Sequence, residues 1–282
     1  MTSFMMIPTM PRPTPTPTIG VFDSGFGGLT VLKELVALIP GADYLYFGDT
    51  ARLPYGSKSA DTVARYAVEA AHFLDTQGAK FLVIACNTAT ALALDQITRA
   101  VEVPVIGVVE PGAEQASSVS KTRRVVVIGT EATVSSHAYL KALERHGIGV
   151  REKACPLLVP LVEEGWTEHP VTEQVAQIYL NDAFAGGFQE ADVLVLGCTH
   201  YPLIKPLLRR IAPARVQVID SAHSTANAVA QKLRELHVLP LPEGQSPHLK
   251  FFATDSVEKF RRMGPSFLGH PVKTVEHVDL KE

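Results

Sequence analysis

Phe81-Leu-Val-Ile-Ala-Cys-Asn-Thr88 and Val193-Leu-Val-Leu-Gly-Cys-Thr-His200 are the two stretches whose reading decides the fold. Each is a continuous apolar run that ends in a cysteine and two polar residues and then gives way to a helical pattern. Unbroken apolar runs of this length are expected of strands buried on both faces of a parallel sheet. Cys86 and Cys198 stand roughly one domain length apart, so the simplest arrangement is two similar α/β halves, each presenting one cysteine at a strand's carboxyl end. Open parallel sheets place their ligands at that end. Two such halves facing each other put two thiols across one cleft.

Runs of the same kind recur at 19–22, 44–47, 103–109, 124–128, 216–219 and 249–252. Helical spacing separates them. Val63, Tyr66, Ala67, Ala70, Phe73 and Leu74 recur at i, i+3, i+4 and i+7, with Gly78 as a stop; Val175, Ile178, Tyr179 and Ala183 do so before Gly186-Gly187. Ile204, Leu207, Leu208 and Ile211 form a third stripe after Pro202. Strands alternating with helices predict an α/β protein. Residues 8–18 are rich in Pro and Thr and read as an extended, flexible leader.

Composition narrows the function. The chain has 282 residues, 46% hydrophobic and 20% charged, which is enough for a packed core of one large or two ordinary domains. With 26 basic against 29 acidic side chains it lacks the bulk positive charge on which non-specific nucleic-acid binding depends. Its longest apolar runs are strand-sized, far short of the ~20 residues that cross a bilayer. The N-terminus has no basic region, and Pro8 and Pro11 break its apolar run, so it does not read as a signal peptide. Three cysteines cannot build a disulfide framework. Free thiols and a cytoplasmic location are expected.

Chemistry-bearing residues cluster after the apolar runs. Cys86 and Cys198 each sit where a strand hands over to a helix, whose free N–H groups favour a thiolate. Asn87, Thr88, Thr199 and His200 follow with donors suited to a small anion. Free cysteine is among the most buried residue types, so either thiol alone would read as core; the matched contexts argue otherwise. Cys155 lacks the polar pair and reads as core. Asp23-Ser24-Gly25-Phe26-Gly27-Gly28 closes the first strand with a loop that lets a ligand approach the backbone, and Asp23 can orient a base. The loop at 48–56, with Pro54, Tyr55 and Gly56, is placed to cover a cleft. Gly129-Thr130-Glu131-Ala132-Thr133 mirrors the Asp-Ser-Gly loop in the other half, and Glu163 by default reads as a solvated helix charge.

Several chemistries lack their residues. There is no Cys-x-x-Cys for redox work or a thiolate zinc site, and no Gly-x-Ser-x-Gly or His-Glu-x-x-His. Thr30 stands where a dinucleotide fingerprint needs its third glycine, and no Gly-Lys-Ser/Thr follows for a P-loop. Leu92 and Ile204 stand where a cysteine phosphatase needs its arginine. No metal site is expected.

Taken together, the segments 21–29, 54–56, 85–89, 107–112, 129–133, 159–163 and 197–202 resemble, in order, those of the glutamate racemases of the cofactor-independent aspartate/glutamate racemase superfamily. The resemblance covers about residues 19–220. It implies two pseudo-symmetric domains of mainly parallel sheets flanked by helices, with the active site in the cleft between them. The implied division is a leader at 1–18, a first domain of 19–110 plus 221–282, and a second domain of 111–220. It also implies that Cys86 and Cys198 are the acid/base pair, with Asp23 assisting the first thiol and Glu163 and His200 the second. Asp23, Ser24, Tyr55, Gly56, Asn87, Thr88, Thr130, Thr133, Thr199 and His200 are the implied substrate contacts. The implied substrate is glutamate, with no cofactor, no nucleic acid and no membrane required, and D-glutamate as a peptidoglycan building block is the implied product. Family members differ in oligomeric state, which leaves a homodimer open.

A sister racemase acting on aspartate or a related acid is the nearest rival. A binding or regulatory module that has kept the fold is another, but it has no need of two thiols. A thiol hydrolase leaves one cysteine unexplained.

Overall fold

The computed structural model describes residues 17–238 and 247–280. Most of the expected leader therefore lies outside the described residues, and the first strand already begins at Thr18. The first part of the chain runs β1 (Thr18–Asp23), α1 (Leu29–Leu38), β2 (Asp43–Gly48), α2 (Ala60–Thr76), β3 (Phe81–Ile84), α3 (Asn87–Ala100), β4 (Val105–Gly107) and α4 (Val109–Val119). It continues with β5 (Arg124–Gly129), α5 (Glu131–Ser136), α6 (Ala138–Glu144), β6 (Gly149–Ala154), α7 (Leu158–Glu163), α8 (Pro170–Ala183), β7 (Val193–Gly197), α9 (Lys205–Ile211) and β8 (Gln217–Asp220). The last elements are α10 (Ser221–Glu235), β9 (Leu249–Ala253), α11 (Val257–Leu268) and β10 (Glu276–His277).

The strands form two sheets. One has six strands in the order β10-β9-β2-β1-β3-β4, the other four in the order β6-β5-β7-β8. Every pairing is parallel; in β1, for example, Ile19 lies opposite Tyr44 on one side and Phe81 on the other. The α/β expectation holds, with helices covering both sheets. Successive residues of one strand feed different cores, as the two-residue period of a strand requires. Val126 and Ile128 of β5 join a core shared with α7, α8 and α9, whereas Val125 and Val127 pack with residues of α4 and α6. In the larger sheet Phe22, Leu82 and Ile84 face α2 and α3, while Val21 and Val83 face the side of α1, α10 and α11.

The sequence expectations hold at the central strands and at the edge strand β8, and fall short at the other edges. The strand expected over 103–109 is confined to Val105–Gly107, because Val109 already opens α4. β6 carries Arg151, Glu152 and Lys153 at a sheet edge and has no apolar run to announce it. β10 has two residues, both exposed. Helix α2 ends where Gly78 takes up φ +96°, a conformation that costs glycine nothing. Among the described residues no helix is long and apolar enough to cross a membrane.

One close approach fixes how the loops at the carboxyl ends stack. A Cβ at Gly48 would overlap the carbonyl oxygen of Gly25 and sit 3.0 Å from the ring of Phe260. Gly48→Ala is expected to destabilise the protein by about 1–3 kcal/mol, read as a lower urea midpoint at unchanged slope. An unchanged midpoint would show that the Gly25 loop yields freely.

Candidate active site

Cys86 and Cys198 follow the last residues of β3 and β7, each of which has a strand neighbour on both sides. The two halves of the molecule bring both sulfurs to one cavity of about 440 Å³. Its lining also includes Ser24, Tyr55, Gly56, Asn87, Thr88, Thr130, Glu163, Thr199, His200 and Lys259. Asp23 and Thr133 stand directly behind that lining, bonded to Thr199 and Thr88 respectively. All the residues singled out from the sequence thus meet at one place. All three cysteines are free and buried, and Cys155 lies in the core as expected.

The two thiols have different surroundings. Cys86 caps α3: its sulfur accepts from the Ala89 N–H at 3.4 Å and its S–H donates to Ser24 Oγ at 3.5 Å. Burial, and after it the negative charge of Asp23, push the Cys86 thiol up to about 12 against the pull of those bonds. The cap geometry agrees with the sequence reading, but at this residue desolvation outweighs the helix end. Cys198 is followed by a turn and a short 3-10 segment, Tyr201–Ile204, before α9 begins. The helix start expected directly after this cysteine is absent, because Pro202 has no N–H to give to the Cys198 carbonyl four residues back.

What Cys198 has instead is a charged neighbour. His200 Nδ1 lies 3.9 Å from its sulfur, and Nε2 of the same ring lies 3.2 Å from Glu163 Oε1. Burial works against charge on the imidazole, yet its bonds to Cys198 and Glu163 outweigh that and raise it to about 10. Glu163 also loses water on burial, but His200 and Lys259 hold it down to about 2. Lys259 Nζ donates to Glu163 Oε2 at 2.8 Å. At neutral pH His200 is therefore imidazolium and Glu163 carboxylate. Glu163 is partly buried and held by His200 and Lys259, and is not the solvated charge that its helix pattern suggests.

Asp23 is fully buried at the end of β1. Its carboxylate accepts from the Gly25 N–H at 2.9 Å and from Thr199 Oγ1 at 3.4 Å, so its bonds reach the half that carries Cys198. Burial raises its pKa, offset by the positive charge of His200 and by these bonds. It acts on Cys86 through charge, with no direct bond between them among the described contacts.

The remaining walls are polar. Thr88, Thr130 and Thr133 form a triangle of hydroxyls with sides of 2.9, 3.2 and 2.9 Å, joining α3 to α5. Asn87 Oδ1 accepts from Tyr139 at 2.7 Å, while its buried Nδ2 has no partner among the described residues and stands ready as a donor. Tyr55 is among the lining residues, but its hydroxyl donates to the buried Asp49 at 2.5 Å. Asp49 is held in turn by Thr254 Oγ1 at 2.9 Å. Asp49, Thr254 and Lys259 were not legible as site residues; a lone charge on a loop or an amphipathic helix carries no spacing signal. Among the described residues no three His, Cys, Asp or Glu side chains are grouped as metal ligands would be.

Comparison with known proteins agrees with this geometry. A family model described as Asp/Glu/Hydantoin racemase matches residues 19–229. A glutamate racemase of Koribacter versatilis is 64% identical over 94% of this chain and 98% of its own length. Among solved structures, a glutamate racemase isoform from Bacillus anthracis superposes with a TM-score of 0.88 at 36% identity, over 94% of this chain and 98% of that one. The Francisella tularensis glutamate racemase, solved in complex with D-glutamate, gives a TM-score of 0.86 at 37% identity, again over 94% and 98%. A matched family model over most of the chain and relatives of this identity and coverage leave one assignment: the chain belongs to the Asp/Glu/hydantoin racemase family of isomerases, and within it to the glutamate racemases.

Proposed function

We propose that the chain interconverts L- and D-glutamate without a cofactor, using Cys86 and Cys198 as the two proton-transfer groups. The observation that carries this reading is that two sulfurs, ending strands of two separate sheets, line one cavity. Racemisation removes the Cα proton from one face and returns a proton to the other, so it needs a base and an acid on opposite sides of a planar carbanion. In each turnover one cysteine starts as thiolate and takes the Cα proton, and the other starts as thiol and gives its proton to the opposite face. The roles are then reversed for the opposite enantiomer. By analogy with the family, Cys198 takes the proton from L-glutamate and Cys86 from D-glutamate.

The substrate-free electrostatics suit the first of these directions. Cys86 is held as a thiol, ready to donate, while His200 presents a positive charge beside Cys198. The weak acidity of an amino-acid Cα–H is the main barrier, and fixed donors around the α-carboxylate oppose it by stabilising the carbanion. Ser24, Asn87 Nδ2 and Thr88 are the side-chain donors on this reading, and Thr199, Gly56 and Thr130 are further lining residues. The product D-glutamate is a building block of bacterial peptidoglycan, and supplying it in the cytoplasm is the role we assign to the chain.

Racemisation is tested in D₂O without added cofactor, following optical rotation and deuterium at Cα. Wild type is expected to racemise both glutamate enantiomers; Cys86→Ala and Cys198→Ala are each expected to abolish it. Full racemisation by either variant rules out the two-thiol mechanism, and activity on aspartate in place of glutamate moves the substrate but keeps the mechanism.

The raised pKa of Cys86 gives a second test, with its sign fixed by the direction of the shift. A thiol titrating near 12 is protonated at neutral pH, so alkylation of Cys86 by iodoacetamide in the substrate-free protein is expected to be slow at pH 7. It should rise about tenfold per pH unit, followed by peptide mass spectrometry between pH 7 and 9. A rate that levels off near pH 8 would contradict the raised value.

A further inference from the structure

Lys259 stands outside the motifs that define the site, yet it is part of the cavity lining and touches one of the assisting groups. It lies on α11, beside the six-stranded sheet, whereas Glu163, His200 and Cys198 lie on the side of the four-stranded sheet. Its Nζ sits 2.8 Å from Glu163 Oε2 and 5.4 Å from the centre of the Phe26 ring. Glu163 Oε1 is committed to His200 Nε2 at 3.2 Å, and the other ring nitrogen faces Cys198 at 3.9 Å. The four groups form one row, and its outer member comes from the opposite half of the molecule.

We propose that Lys259 is a positioning residue for the Cys198 side of the reaction, holding the Glu163 carboxylate aimed at His200 so that the row is complete only when the two halves are together. Glu163 ends a six-residue helix, and its side chain is 17% exposed. A carboxylate so placed needs a second donor to stop it turning to water, and a charge-assisted bond from an ammonium is a strong one. With both oxygens engaged, the carboxylate fixes the ring through Nε2 and leaves Nδ1 directed at the sulfur. Cys86 has no member in this row; its partners are Ser24 and Ala89. Loss of Lys259 therefore slows proton transfer to and from Cys198 and leaves the Cys86 step as it was.

This inference rests on the two-thiol reading, and the test separates the two. L- and D-glutamate have equal free energy, so kcat/KM in the two directions must stay equal in any variant and cannot show which step has slowed. Substrate isotope effects can. In Lys259→Met and Lys259→Gln, kcat/KM is expected to fall about ten- to a hundredfold in both directions. The isotope effect with α-deuterated L-glutamate should rise, because removal of its proton by Cys198 becomes limiting. The effect with α-deuterated D-glutamate should fall towards its equilibrium limit, because the Cys86 step then comes to equilibrium before the slow return of a proton from Cys198. Lys259→Arg, which keeps a donor, should hold both effects near the wild-type values. Lys259 is 38% exposed, and a loss of folded protein lowers the rate without moving either isotope effect. Unchanged rates, or isotope effects that shift together, overturn the role of Lys259 while wild-type racemisation still stands. A wild type inactive on glutamate overturns the reading of the site and this role with it.

Discussion

A carboxylate with no access to water must find hydrogen-bond donors inside the protein, and Asp23 finds them on both sides of the cavity. Gly25 supplies an N–H from its own loop and Thr199 a hydroxyl from the segment after β7. Other contacts follow from this meeting. Thr30 Oγ1 reaches the Thr199 carbonyl at 3.3 Å, and a Cβ on Gly27 would sit 2.7 Å from His200 Nδ1, so the two segments touch with no space between them. The charge of Asp23 adds to burial in raising the Cys86 thiol, and the His200 charge it faces lies beside the other thiol. Because a buried carboxylate that loses its donors is costly, the halves are held in this register by a group directly behind the cavity lining.

Two proton-transfer groups on opposite sides of a small acid impose their own geometric demand. A parallel sheet covered by helices on both faces is closed except at its strand ends. One such sheet can bring side chains to a ligand from one side only. On the proposed mechanism that demand is met by two sheets whose carboxyl ends lead to the same cavity, one to Cys86 and one to Cys198. The same fold then gives the thiols unlike neighbours, a helix cap and a hydroxyl for Cys86, a charged row for Cys198. On the proposed mechanism this asymmetry gives the two proton-transfer groups unlike partners.

The central architecture was legible because it depends on side-chain period. Strands such as Phe81–Ile84 and Val193–Gly197 are buried on both faces, and nothing except an unbroken apolar run can form them. β6 escaped for the opposite reason: at an edge its Arg151, Glu152 and Lys153 are only partly covered, and polar residues are tolerated there. The two cysteines could be found from matched context. Lys259 could not, since its partner lies 96 residues away and α11 reads simply as amphipathic. Tyr55 shows a further limit. Sequence placed it in the cavity wall, but only the structure shows that its hydroxyl is already taken by Asp49.

The strand order β10-β9-β2-β1-β3-β4 has a consequence for how the protein is made. During synthesis, every strand of the four-stranded sheet has emerged once residue 220 has left the ribosome. The larger sheet, begun first, still lacks β9 and β10 at that point, so the β2 edge stands open, with unpaired N–H and C=O groups and the apolar side chains of Tyr46 and Phe47 beside it. An open edge of that kind is a template for pairing with another chain. Its closing strand comes from 249–253, among the last residues to appear. A nascent chain stalled or cleaved after β8 thus keeps Cys86 and Cys198, yet carries an open β2 edge that another chain can pair with.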